Sequence, residues 1–317
     1  MSDGMACFLG IDTSNYTTSA AVYDSESGKV FQQRKLLEVK PGEKGLRQSD
    51  AVFQHTRRLP GIIEQLFSGN TYRLQGVGVS VFPRRQQGSY MPCFLVGEGV
   101  ARGISAAAGL PLHTFSHQEG HIAAALYSCG RLDLLEAGEF VAFHFSGGTT
   151  ECVHCVSRKG EIRAELFAHT ADLNAGQAID RIGLMLGLHF PCGPELEQLA
   201  SKSKRTFRVR PSFSGEDPSV SGLENQAARM LAEGALPEDV AKFTLDYVLA
   251  VVDHISAGAR RQFGELPLIY AGGVMSNRYI AGEIRHRYGG WFAEPQFSSD
   301  NAAGIAVLAA LRGGMKL

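Results

Sequence analysis

The chain has 317 residues, 44% of them hydrophobic and 20% charged, which is typical of a soluble globular protein with one large or two medium domains. Its formal net charge is −1, so no global field attracts nucleic acid or a membrane, and any polyanion must bind a local patch. The longest stretch of low charge, 103–115, is too short and too rich in Gly and Ala to cross a bilayer. The six cysteines are scattered like reduced thiols and no secretory signal is recognisable, so we expect a cytoplasmic enzyme or binding protein.

The first third of the sequence predicts a run of strands followed by alternating helices and strands. Strands are predicted over 7–11, 18–23 and 30–36, with a polar turn over 12–17; a helix over 49–67, a strand over 76–82, a helix over 94–108 and a strand over 112–115 follow. The helix over 94–108 contains Gly97, Gly99 and Gly103, each costing about 1 kcal/mol relative to Ala. Such glycines indicate close approach of the backbone to a neighbour or a ligand.

The opening pattern of strands and polar turn returns more than a hundred residues later. Strands are predicted over 140–145, 151–156 and 161–167, with the polar turn 146–150 after the first. A repeat this wide does not suit a solenoid and indicates a duplicated domain whose halves face each other across a cleft. Most Ser/Thr/Gly turns only join hairpins, but two in corresponding places favour binding of a shared ligand, with phosphate the obvious candidate.

A metal site is indicated by two histidines at the start of a predicted helix. His117 and His121 are four residues apart, so they share one helix face, and two imidazoles suit zinc or a transition metal. Taken alone, a four-residue spacing often occurs between two polar residues that have no shared function. Glu119 does not follow the first histidine directly, which disfavours a zinc peptidase. Asp300 could complete the site, although spacing alone favours an N-cap role for it.

A nucleotide site is indicated by glycines and a carboxylate in the second half of the chain. Gly272 and Gly273 follow the predicted strand 268–271 and would let a ligand ring lie against bare backbone. The turn 191–194 leads into a helix with Glu197, a carboxylate suited to ribose hydroxyls. Taken alone, this segment is better interpreted as a Pro-Gly turn followed by a glutamate on the surface.

Eight short motifs, in one order over nearly the whole chain, resemble the TsaD family of tRNA threonylcarbamoyltransferases, formerly described as glycoproteases. The motifs are GIDTS (10–14), SHQEGH (116–121), SGGTT (146–150), DLNAGQAID (172–180), LHFPCGP (188–194) with Glu197, SGL (221–223), AGGV (271–274) with Asn277, and SDN (299–301). The resemblance implies an α/β, actin-like (ASKHA) fold of duplicated RNase H-like domains, with a ligand cleft between two lobes. We expect an N-terminal lobe over 1–113, with the C-terminal helix 301–317 packed on it, and a C-terminal lobe over 114–300.

The resemblance also implies a reaction, a metal and partners. A threonylcarbamoyl group would pass from its adenylate to the exocyclic amine of an adenosine in tRNA, with AMP leaving. One divalent or ferric ion, iron or zinc, would polarise substrate oxygens, while N–H groups of the glycine turn stabilise developing charge. The bound nucleotide would be threonylcarbamoyl-adenylate, AMP or ATP. Expected partners are tRNA and TsaB-like and TsaE-like helper proteins, with no membrane.

By position, the resemblance assigns three sets of residues, and it makes Asp300 a ligand rather than a cap. His144 stands where archaeal and eukaryotic members carry a metal-approaching tyrosine. The expected metal ligands are His117, His121, Asp300 and His144; the expected nucleotide-binding residues are Asp172, Gly176, Gly193, Glu197, Gly272, Gly273 and Asn277; the expected catalytic residues are Asp12, Ser14, Ser146, Gly147 and Gly148.

The sequence departs from the family where the acyl group and acceptor should lie. Two acidic residues usual in the family are missing from 13–18, the segment 48–55 keeps only two of its expected residues, and 83–90 replaces a glycine-rich loop. Arg84 and Arg85 could compensate for the lost contacts. The alternatives are a divergent threonylcarbamoyltransferase, or a paralogue that uses the site for another carbamoyl-type transfer or as a non-catalytic nucleotide-binding partner.

Two further patterns remain. Cys152 and Cys155 have C-x-x-C spacing but fall inside a predicted strand, where residues three apart point to opposite faces, so ordinary strand residues are expected. Five cations lie within 202–210; a solvated loop is the default, although the run would suit a tRNA backbone.

Overall fold

The computed structural model describes residues 5–14, 16–39, 46–298 and 302–315. The first part of the chain contains β1 (Met5–Ser14), β2 (Thr17–Asp24), β3 (Val30–Leu36), α1 (Gln48–Phe67), β4 (Tyr72–Phe82), α2 (Phe94–Ala108), β5 (Leu112–Ser116), α3 (His117–Ser128) and α4 (Asp133–Ala137). The remainder contains β6 (Gly138–Phe145), β7 (Thr150–Arg158), β8 (Glu161–His169), α5 (Ala175–Met185), α6 (Gly193–Ala200), β9 (Ser212–Ser214), β10 (Asp217–Ser219), α7 (Gly222–Ala232), α8 (Pro237–Phe263), β11 (Leu268–Ala271), α9 (Arg278–Tyr288), β12 (Trp291–Phe292) and α10 (Ala302–Arg312).

Two five-stranded sheets repeat one strand order. The first sheet runs β3-β2-β1-β4-β5, and the second runs β8-β7-β6-β11-β12. In the first sheet β1, β4 and β5 are parallel neighbours, and in the second β6, β11 and β12 are parallel neighbours. The matching order is what the repeated sequence pattern predicts for a duplicated domain.

The chain divides into two compact units, one built around each sheet. Unit 1 comprises 1–137, 157–162 and 299–317, and unit 2 comprises 138–156 and 163–298. The sequence placed a lobe boundary at 113, whereas residues 114–137 fall in unit 1. The physical reason is α3, which packs against α10 and β4 of that unit.

The C-terminal helix α10 is the most deeply buried helix of unit 1. All of its residues from Ala302 to Leu311 are buried, and it packs against α3, β1, β2 and β4. Gly10 and Gly78 are direct partners in the β1–β4 ladder. A Cβ on Gly10 would lie 2.3 Å from the carbonyl oxygen of Ala302, and one on Gly78 would lie 2.8 Å from that of Ile305. This paired bare backbone therefore lets the helix rest directly on the sheet.

A second close approach joins α10 to α3. A Cβ on Gly304 would lie only 1.9 Å from the carbonyl oxygen of Gly120. Gly120 lies between His117 and His121 in α3. The packing of α10 therefore fixes the turn of helix that carries both histidines.

The second sheet and its helices enclose a separate core. The long helix α8 is buried along most of its length and packs with α5, α6, α7 and α9. Cys152 and Cys155 are both buried in β7, in agreement with their expected role as ordinary strand residues. No helix in the described parts of the chain combines the length and apolarity needed to span a membrane.

We predict that Gly304→Ala lowers the free energy of unfolding by about 1–3 kcal/mol, because the new methyl group overlaps the Gly120 carbonyl and must push α10 from α3. The matched control is Gly282→Ala inside α9, where a Cβ meets nothing within 4 Å. This control should be neutral or stabilising by up to about 1 kcal/mol. Urea denaturation of both variants measures the difference, and equal effects would contradict the proposed helix contact.

Candidate active site

The carboxyl ends of three adjacent parallel strands bring polar side chains together in unit 1. Asp12 comes from the end of β1, Ser80 from the end of β4, and His117 follows β5 directly. Asp12 is 1% exposed, so its carboxylate needs hydrogen-bond donors. Ser80 Oγ donates to Asp12 Oδ1, and His117 Nδ1 lies 3.2 Å from the same oxygen.

These partners keep Asp12 ionised. Burial by itself would raise the pKa of Asp12, but the His117 charge and hydrogen bonds from His117, Ser80 and Ser14 outweigh it, so that the pKa is lowered. Ser14 is buried at the end of β1. The structure thus brings together two of the predicted catalytic residues, Asp12 and Ser14, and one predicted metal ligand.

His117 and His121 form a pair on one face of α3, as their spacing predicts. Their ring centroids are 4.6 Å apart, and the His117 ring also contacts Phe94 with centroids 6.0 Å apart. Both histidines are partly exposed. When His117 Nδ1 carries the proton towards Asp12, its Nε2 lone pair is available, which is the usual arrangement of a metal-binding histidine with a carboxylate behind it.

The first turn of α3 is fixed by a capping box. Ser116 Oγ accepts from the Glu119 amide at 3.1 Å, and Glu119 Oε2 accepts from the Ser116 amide at 2.7 Å. Glu119 is also paired with Arg85, whose Nε lies 3.0 Å from Oε1. Glu119 therefore orients the histidine turn, and Arg85 offsets the buried charge of Glu119. This contact differs from the compensating substrate role considered for Arg85.

His55 lies behind the same site. It is 0% exposed in α1, and its Nδ1 is 2.8 Å from Thr18 Oγ1 in β2. Its Nε2 has no hydrogen-bond partner among the described residues. Burial lowers the pKa of His55 to about 4, against the opposing effect of the Asp12 charge, so His55 is neutral at physiological pH.

The donor chemistry of unit 1 fits zinc or iron. Two imidazoles on one helix face, one of them backed by a carboxylate, suit either ion. Within the described residues no three His, Cys, Asp or Glu side chains are grouped as metal ligands. Asp300 lies outside the described residues, and His144 belongs to β6 of unit 2. The predicted four-ligand set therefore stays a prediction.

In unit 2, the glycine-rich turn after β6 is held by α5. Ser146 Oγ accepts from the amides of Gly148 and Thr149 at 3.3 and 3.1 Å. The Gly176 amide donates to the Ser146 carbonyl at 3.2 Å, and a Cβ on Gly176 would lie 2.5 Å from the Gly147 nitrogen. Gly147 and Gly148 remain exposed. Gly176 thus allows the close contact of helix and turn, and the Gly148 amide is engaged within the turn.

Four further predicted nucleotide residues fall into two places. Gly272 has a φ of +98° and packs on the end of β6, where a Cβ would lie 2.1 Å from the Phe145 carbonyl oxygen. Gly273 is exposed. Glu197 Oε1 accepts from the Arg278 amide at 2.8 Å, and Asn277 Oδ1 accepts from the Ile280 amide at 3.0 Å. Glu197 and Asn277 therefore meet at the N-terminus of α9.

The carboxylate of Asp172 accepts hydrogen bonds from a neighbouring loop. This carboxylate accepts from the Val220 amide at 2.7 Å, the Ser221 amide at 3.2 Å, and the hydroxyls of Ser219 and Ser221. Although burial opposes ionisation, these donors lower the pKa of Asp172 far below its usual range. Gly193 begins α6, and no atom lies within 4 Å of a Cβ built there. Contacts of Asp172 and Gly193 with a nucleotide stay predictions.

Several structurally important residues were not found by sequence reasoning. Ser80 had no motif around it, and only its place in a strand parallel to β1 brings it to Asp12. The capping role of Glu119 was readable from its position three residues after Ser116. Gly97 does meet a neighbour, because its amide donates to Thr13 Oγ1 at 3.0 Å, whereas Gly99 and Gly103 border open space.

Comparison with known proteins gives one family and one fold. The family model described as tRNA N6-adenosine threonylcarbamoyltransferase matches residues 32–307. A protein of that name from Aromatoleum aromaticum is 31% identical over 318 residues, covering 96% of this chain and 90% of the relative.

Solved structures support the fold alone. The Acidaminococcus fermentans (R)-2-hydroxyglutaryl-CoA dehydratase component A has a TM-score of 0.58 and 15% identity, covering 98% of this chain and 99% of that one. Full-length HypF in its phosphate- and nucleotide-bound form has a TM-score of 0.60 and 13% identity, covering 99% of this chain and 56% of that one. These similarities, with the repeated sheet order, confirm the expected α/β actin-like fold.

We predict that acidification destabilises the protein in part through His55. Because the folded state holds this pKa at about 4 against 6.5 for a free histidine, the unfolded state binds the proton more tightly, and stability falls as pH drops from 6.5 towards 4. The expected loss from this group is about 2 kcal/mol between pH 7.5 and pH 5. His55→Asn keeps a polar partner for Thr18 and should be less stable at pH 7.5, with a flatter pH dependence of the free energy of unfolding. Parallel pH slopes in the two proteins would contradict the buried neutral state.

Proposed function

Because the chain belongs to the tRNA N6-adenosine threonylcarbamoyltransferase family, we propose that it transfers a threonylcarbamoyl group from threonylcarbamoyl-adenylate to an adenosine of tRNA. The attacking atom is the exocyclic amine of that adenosine, and AMP is the leaving group. The reaction takes place in the cytoplasm, with TsaB-like and TsaE-like proteins as helpers. Family membership supports the reaction class.

The observation that carries the proposal is the Asp12–His117–His121 cluster of unit 1. A buried ionised carboxylate contacts the first of two histidines that share a helix face. Such a carboxylate fixes the tautomer of the histidine and increases its basicity towards a metal. We therefore assign Asp12 to orienting His117, whose Nδ1 lies 3.2 Å from Asp12 Oδ1.

His117 and His121 would hold the metal, with Asp300 as third ligand. A bound metal would supply Lewis-acid polarisation of a carbonyl or phosphate oxygen. Asp300 is supported by its place in the chain, two residues before α10 begins at Ala302. That helix contacts α3 between the two histidines, at Gly120.

Unit 2 would hold the adenylate. In the Ser146–Gly148 turn, Gly147 and Gly148 are exposed and the turn is braced by Gly176, so its backbone could lie close to a phosphate. Glu197 and Asn277 meet at the start of α9, and Glu197 is a suitable acceptor for ribose hydroxyls. Gly273 adds exposed backbone nearby in sequence.

The acyl end and the acceptor would contact the altered segments of unit 1. Of the two arginines in the replaced loop 83–90, Arg85 is paired with Glu119. We therefore assign Arg85 to support of the histidine turn.

We predict that His117→Ala abolishes threonylcarbamoyl transfer to a tRNA that reads ANN codons, because it removes a metal ligand and the partner of Asp12. The product is measured by mass spectrometry of digested tRNA, with the purified protein, adenylate and helper proteins. Metal content of the same preparations is measured in parallel and should fall with the substitution.

The matched control is His286→Ala, which removes an exposed histidine from α9 and should leave transfer and metal content unchanged. A folded, metal-loaded wild-type protein that binds an adenylate but modifies no tRNA would favour the paralogue with a different carbamoyl-type transfer or a non-catalytic role. Full transfer by His117→Ala would overturn the assignment of the site.

A further inference from the structure

A basic strap, residues 202–210, joins α6 to β9 in unit 2. It contains five cations and no acidic residue. Its sequence alternates in part between inward and outward side chains: Phe207 and Val209 are partly buried, while Arg208 and Arg210 are exposed. This alternation is typical of an extended segment with one face on the protein.

The strap is anchored to the protein surface. Phe207 and Val209 pack against the core of unit 2, and the Phe207 ring meets Phe243 edge to face at 5.7 Å. Two carboxylates of α8 bind the strap: Ser203 Oγ donates to Asp239 at 2.6 Å, and the Phe207 amide donates to Asp246 at 3.2 Å. Its cations are therefore presented from a fixed backbone.

Most of the positive charge on the strap is left unneutralised. Arg205 pairs with Asp239 at 3.3 Å, and Lys242 of α8 pairs with Asp246, so both anchoring carboxylates already have cations. The remaining strap cations are exposed and, among the described residues, form no ion pair: Lys202, Lys204, Arg208 and Arg210. A folded chain gains little from four such unpaired charges, which points to a partner that supplies the negative charge.

We infer that the strap binds the phosphate backbone of the substrate tRNA, the molecule that accepts the threonylcarbamoyl group. This inference rests on the proposed function. Exposed arginines and lysines on a fixed extended segment suit a polyanion, because neutralising phosphates releases condensed counterions. The net charge of −1 on the whole chain makes a local basic patch necessary for such a partner. The strap leads through β9 and β10 to Ser219 and Ser221, which hold Asp172, so it lies on the unit assigned to the adenylate.

The test compares tRNA binding by the wild-type protein and by the triple variant Lys204→Gln/Arg208→Gln/Arg210→Gln across a range of salt concentrations. The probe is an unmodified transcript of a tRNA that reads ANN codons. Loss of three phosphate contacts should weaken binding about 100-fold at 0.1 M salt and reduce the slope of log K against log [salt] by about 2–3. The matched control is Arg73→Gln/Arg158→Gln/Arg163→Gln, which removes the same charge from exposed strand positions and should retain wild-type affinity and slope.

The outcomes separate the strap from the reaction. If the wild type binds tRNA and the strap variant binds it with the same affinity and salt slope, the strap does not bind tRNA. The proposed transferase function would be unaffected by that result. Equal losses in the strap and control variants would also overturn it, since net charge alone would then explain binding. If tRNA binding depends on the strap but no threonylcarbamoyl transfer occurs, the binding role of the strap is supported and the proposed reaction is contradicted.

Discussion

The site in unit 1 depends on the burial of α10 between the first sheet and α3. Paired glycines at 10 and 78 let the helix touch the sheet backbone, and Gly304 lets it touch α3 at Gly120. Because protein interiors are close-packed, these contacts allow little displacement. The turn of α3 that carries His117 and His121 is therefore set by a helix nearly two hundred residues away in sequence.

The polar cluster is built on this rigid packing, and its members restrain one another. The Ser116–Glu119 capping box fixes the start of α3, and Arg85 reduces the cost of burying Glu119. Asp12 is buried beneath His117, so water does not hydrogen-bond to its carboxylate. Its donors Ser80 and His117 arrive from two different strand ends, so correct strand register is needed before the carboxylate can be satisfied.

Much of this arrangement could be predicted from local patterns. Strand patterns predicted the five strands of the first sheet and four of the second, but not the short β12. The repeated polar segments 12–17 and 146–150 predicted the duplication. The spacing of His117 and His121 predicted their shared face. The contact of Ser80 with Asp12 and the ion pair of Arg85 with Glu119 could not be predicted, because each joins residues that only the parallel sheet brings together. The predicted lobe boundary at 113 and the compact units differ for a related reason: α3 follows its strand in sequence, but its packing partner is the distant α10.

The sequence order of the two units has a consequence for biosynthesis. Unit 2 is nearly continuous over 138–298, interrupted only by 157–162, whereas unit 1 needs its first 137 residues, that short insertion and the last segment of the chain. On the ribosome, the unit that begins first must therefore be completed last. Until α10 emerges, the face of β1 and β4 that it covers stays open to solvent, and such exposed apolar surface invites aggregation. The nascent first half therefore exposes this sheet face for as long as its final helix is missing.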